Sequence, residues 1–138
     1  MRLRAHPKMA LSEQETAFAA EIDPDWEEVT GLPYPSTITA GKTLAVTVFS
    51  TSGIDVAVHG AGLLWIPWIT DQAVTMADMM EAVGEMTADR GELAKRLAEF
   101  QDGTRLETFC QRCRSAAVAF ETEMDVCEAF ATIERDLL

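Results

Sequence analysis

From Thr104 to Leu138 the chain contains neither glycine nor proline, and its apolar residues recur at steps of three and four. Leu106, Phe109, Cys110, Cys113, Ala116, Ala117, Phe120, Met124, Cys127, Phe130, Ala131 and Leu137 fall on one face of an α-helix. Such a helix reaches up to ~50 Å at ~1.5 Å per residue, more than a small domain needs to cover its own core. Two arrangements bury the stripe: antiparallel pairing with residues 75–101, or a homodimer through Phe109, Phe120, Met124 and Phe130.

The partner segment has its own helical signals. Thr75-Met76-Ala77-Asp78 has the form of a weak capping box, and Met76, Met79, Met80, Val83 and Met86 follow at helical spacing. Gly91 breaks or bends the run before Leu93, Leu97 and Phe100 continue it, which leaves one helix or two open. Asp102-Gly103 reads as the turn of a helical hairpin, with Thr104 to Glu107 as the next capping box. Residues 74–138 are therefore expected to form a long amphipathic helical hairpin.

Upstream the periodicity changes. Residues 1–10 are expected to be disordered, and Ser12-Glu13-Gln14-Glu15 is a capping box that starts a helix running to about Ile22. Asp23-Pro24 supplies a second N-cap and a short helical turn ended by Gly31, so residues 11–30 form a helix and turn. The proline-rich stretch 32–41 is a loop. Residues 42–69 are β-rich: Lys42 to Ser50 alternates as a strand, Thr51-Ser52-Gly53 is a turn, Ile54 to His59 a second strand of a hairpin, and Leu63 to Trp68 a short third strand. The expected fold is one α+β domain over residues 1–138, with a small antiparallel hairpin or three-stranded sheet packed on helices.

Net charge is −12 and unevenly spread. Between Met9 and Asp89 stand thirteen acidic residues and one basic residue, Lys42, while residues 1–8 carry +3 and residues 90–138 carry −3. That field repels nucleic-acid phosphates and anionic membranes and attracts basic surfaces. The longest apolar run, Val56 to Ile69, is broken by His59, Gly60, Gly62 and Pro67 and is shorter than the ~20 residues a membrane span needs. Arg2, Arg4 and Lys8 precede Glu13, Glu15 and Glu21 instead of an apolar block, so no secretion signal is expected. Three cysteines, Cys110, Cys113 and Cys127, suit reduced thiols in a cytoplasm.

No catalytic, metal or cofactor set can be assembled from these residues. Cys110-Gln111-Arg112-Cys113 is half of a zinc pattern, but on one helix Cys127 lies ~21 Å further along the axis. Ala40-Gly41-Lys42-Thr43 lacks the earlier glycine of a phosphate loop and precedes a strand instead of a helix. His59-Gly60-Ala61-Gly62 has no nucleophile turn to serve, and Asp23, Asp25, Glu27 and Glu28 are spaced wrongly for a calcium loop.

The expected function is protein binding without catalysis. Glu13, Glu21, Asp23, Asp25, Glu27 and Glu28 can imitate a row of phosphates and occupy the basic, nucleic-acid-binding surface of a partner protein, as an anti-defence, viral or immunity-type inhibitor does. Trp26, Trp65 and Trp68 are the candidate aromatic anchors. The alternative is a dimeric assembly or chaperone-like protein working through the C-terminal helix.

Overall fold

A computed structural model describes residues 1–5, 10–48, 51–69 and 77–123. The chain divides into two compact units, Met1–Thr37 and Ile38–Leu138.

The first unit begins with a short strand; of the span 1–10 read as disordered, residues 6–9 lie outside the described residues. Strand β1 (Arg2–Leu3) pairs in parallel with β2 (Glu27–Glu28), Arg2 opposite Glu27. Two arginines hold it there: Arg2 donates to the Thr37 carbonyl at 2.9 Å, and Arg4 donates to the Leu32 carbonyl at 2.7 Å while lying over the Tyr34 ring. Between the strands runs α1 (Glu13–Ile22), capped as its sequence dictates. The Ser12 amide donates to Glu15 Oε2 at 2.7 Å and the Glu15 amide to Ser12 Oγ at 3.2 Å, closing the reciprocal box. Asp23 does not start a new helical turn. Its amide donates back to Ala19, its carboxylate accepts the Asp25 amide at 3.0 Å, and the chain turns into β2. A short helix, α2 (Tyr34–Thr37), follows Gly31, whose φ of +81° is open to glycine without strain.

The second unit corrects the sheet. Strands β3 (Leu44–Thr47), β4 (Gly62–Trp65) and β5 (Glu85–Met86) are parallel in that order, with Leu44 opposite Gly62 and Leu64 opposite Glu85. The segment read as the second hairpin strand is a helix, α3 (Ser52–Val58). Parallel neighbours need a crossover, and α3 supplies it between β3 and β4. Its buried residues Gly53, Ile54 and Ala57 follow helical spacing, which seven residues rich in valine and isoleucine do not advertise. The third expected strand exists as β4, and all four of its residues are buried, as a central strand covered on both faces requires.

The helical hairpin is also interrupted. Helix α4 (Ala77–Val83) ends at Gly84, β5 joins the sheet, and α5 (Arg90–Glu99) starts on the Asp89 cap. Residues 75–101 therefore hold two helices with a strand between them; Thr75 and Met76 lie outside the described residues. The last described element, α6 (Gly103–Glu123), is capped by Asp102, whose carboxylate accepts the Thr104 and Arg105 amides, so Thr104 is not the cap. It packs against α3, β4 and α4.

The core joins Ile54, Ala57, Leu63, Leu64, Trp65, Met80 and Val83 to Phe109, Cys113 and Ala117 of α6. Two glycines make room for Trp65: a Cβ on Gly84 would lie 2.7 Å from its indole nitrogen, and one on Gly53 would strike its ring. Gly60, at φ +95°, turns the chain from α3 into β4. No helix among the described residues is long and apolar enough to cross a membrane.

Candidate functional site

Of the six carboxylates expected to face a partner, Glu13, Glu21, Asp25, Glu27 and Glu28 are exposed and Asp23 is half-buried. Their field is not free of local cations. Because β1 lies beside β2, Arg2 pairs with Glu27 at 3.1 Å and the Met1 amino group pairs with Asp23. That amino group, followed by the Asp25 amide, holds the Asp23 carboxyl below its ordinary value. Glu13, Glu21, Asp25 and Glu28 form no ion pair among the described residues. Beside them α1 exposes Phe18 and Ile22, each to more than half of its surface, one turn apart.

The aromatic anchors separate into different roles. Trp65 is wholly buried between α3 and the end of α4, so it cannot meet a partner. Trp68 is half-buried and donates from Nε1 to Thr87 Oγ1 at 3.0 Å, while the Thr87 hydroxyl donates to the Trp65 carbonyl at 3.0 Å. That chain ties the 3₁₀ turn Pro67–Ile69 to the end of β5. Trp26, half-buried, is the one that adjoins the carboxylates. Of the proposed dimer face, Phe109 is core and Phe120 packs half-buried against the core. Met124 and Phe130 lie outside the described residues.

The cysteine pair is structural in its surroundings. Cys110 and Cys113 are buried free thiols, Cys110 Sγ donating to the Thr43 carbonyl at 3.4 Å. Burial pushes both thiols above their ordinary value, which disfavours the reactive thiolate. Cys127 lies outside the described residues. Among the described residues no three His, Cys, Asp or Glu side chains gather to hold a metal ion. His59 caps the C-terminal end of α3.

A second surface was not foreseen. Helices α5 and α6 meet at Phe100 and Phe109, whose rings stack with centroids 4.5 Å apart. Glu85 of β5 reaches between them, accepting from Arg112 at 2.6 Å and pairing with Arg96, which also donates to Glu99 at 2.7 Å. The Glu99 hydrogen bond, ahead of nearby carboxylates, raises the Arg96 pKa, and the same contact lowers that of Glu99. These groups, with Thr104, Arg105 and Thr108, line a cavity of about 310 Å³. The sequence held one signal for it: Arg105, Phe109 and Arg112 recur at steps of four and three, which places them on one helix face.

No protein-family model, curated protein or solved structure matches this chain. Two surfaces stand out among the described residues: an acidic one with exposed apolar residues on α1, and a groove on α5 and α6 where Arg96, Arg105 and Arg112 lie among Glu85, Glu99 and Asp102.

Proposed function

We propose that this chain acts by binding a protein, with its carboxylates occupying a basic, nucleic-acid-binding surface of the partner as an inhibitor does. The observation that carries the reading is the asymmetry of charge: thirteen acidic residues against one lysine between Met9 and Asp89. Exposure of Glu13, Glu21, Asp25 and Glu28 without ion-pair partners among the described residues supports it, because unpaired surface carboxylates project their field into solvent. Phe18 and Ile22 supply the apolar contact that electrostatic steering alone lacks, since desolvated anchors carry most interface energy.

The test is capture of partners from lysate by the chain and by a Glu13→Lys, Glu21→Lys, Asp25→Lys, Glu28→Lys variant, each at low and high salt. The native chain should retain a basic, nucleic-acid-binding protein at low salt and release it at high salt, and the variant should retain none. Capture that is indifferent both to salt and to reversal of the four charges overturns the reading.

A further inference from the structure

The groove between α5 and α6 concentrates arginine in a protein of net charge −12. Two of its guanidiniums have donors to spare. Arg105 is exposed, and its nearest carboxylate, Asp102, stands 3.8 Å away, outside hydrogen-bond reach. The Asp102 carboxylate is moreover engaged by the Thr104 and Arg105 amides as the α6 cap. Arg112 donates to Glu85 through one nitrogen and lies over the Phe109 ring at 5.0 Å, which leaves the rest of its five donors. Thr108, one turn from Arg105 on the same helix face, donates its hydroxyl to the Thr104 carbonyl at 3.0 Å, and the stacked Phe100 and Phe109 rings supply an apolar wall. A cavity of about 310 Å³ is at the small end of the range for small-molecule sites, enough for a bicyclic compound.

We propose that this groove binds a small oxyanion carried on a flat apolar body: the anionic head on Arg105, the body along Phe100 and Phe109, with Arg112 bounding the far end. A planar guanidinium matches carboxylate and phosphate geometry through paired donors, and the phenyl wall selects for an apolar body over a bare ion. The surrounding acidity opposes long-range attraction of any anion, so binding depends on short-range contact.

The experiment titrates the full chain with 1-naphthoate, 1-naphthyl phosphate and uncharged 1-naphthamide, reading backbone amide shifts. At least one of the two anions should saturate, with shifts centred on residues 96–112, and bind tenfold or more tightly than the amide; the tighter of the two identifies the head group. Arg105→Gln should weaken the anion tenfold and leave thermal stability and naphthamide binding unchanged. Equal affinity for anion and amide, shifts scattered over the chain, or an unaltered Arg105→Gln variant overturns the proposal. Each outcome stands apart from the acidic-face reading, whose four carboxylates belong to the other unit.

Discussion

Replacing Gly62 by alanine probes whether α6 lies against the central strand as described. Gly62 begins β4, and a Cβ there would stand 2.6 Å from Phe109 Cδ1, 2.9 Å from Cε1 and 3.3 Å from Leu44 Cδ1. Ordinary contact begins at 3.4 Å, so the Phe109 ring must retreat by about 1 Å. It cannot do so freely, because it is 6% exposed and stacked on Phe100. Overpacking of this kind costs about 1–3 kcal/mol. Against that, exchanging glycine for alanine in a strand gains about 0.5–1 kcal/mol from the unfolded chain's lost freedom. The net is a loss of roughly 1.5 kcal/mol, which at a urea slope of about 2 kcal/mol/M lowers the midpoint by roughly 0.7 M. Shrinking the opposing ring should recover part of it: Gly62→Ala with Phe109→Leu should lose about 1 kcal/mol less than the sum of the two single losses. Urea unfolding of the single and double variants measures both numbers. A neutral or stabilising Gly62→Ala, or strict additivity with Phe109→Leu, would refute the placement of α6 on β4.

Three further outcomes follow from named contacts. Thr87→Val removes the hydroxyl that links Trp68 to the Trp65 carbonyl, and with Thr87 buried the loss should be about 1–3 kcal/mol in urea unfolding, with a change in tryptophan fluorescence. Ser12→Ala opens the α1 capping box and should cost about 1 kcal/mol of helix stability, read as faster amide exchange over Glu13–Ile22. The Ser12 amide and then its hydroxyl hold the Glu15 carboxyl below its ordinary 4.5, so this contribution is present above pH 4.5 and fades as pH falls through the lowered value. Cys110 and Cys113, raised above 9.0 chiefly by burial, should resist iodoacetamide at neutral pH until the chain is unfolded. Since the raised value favours the neutral thiol, their stabilisation is complete below pH 9 and declines above it; rapid labelling of the folded chain at neutral pH would contradict their burial.

Local signals were legible where the cause was local. The Ser12 box gave the start of α1, the glycine-free stripe gave α6, and Phe109, Cys113 and Ala117 do form its buried face. The direction of the sheet was not legible, because Ile54, Val56 and Val58 alternate whether their segment pairs as a strand or coils as α3. Only burial of β4 on both faces, which demands a covering crossover, decides between them. The functional surfaces divide in the same way. The sequence determined the charge asymmetry, a sum over residues that folding does not change, and hence the expectation of a basic partner. The tertiary structure decided that Glu27 is paired, by laying Arg2 beside it, and it withdrew Trp65 from any interface and Phe109 from the expected dimer face by packing them into the core. It alone made the arginine groove, since Glu85, Arg96 and Arg112 come from three elements that only packing brings together. Backbone caps and periodicity act over a few residues and are written in order along the chain, whereas pairing, burial and groove formation depend on contacts between residues far apart in it.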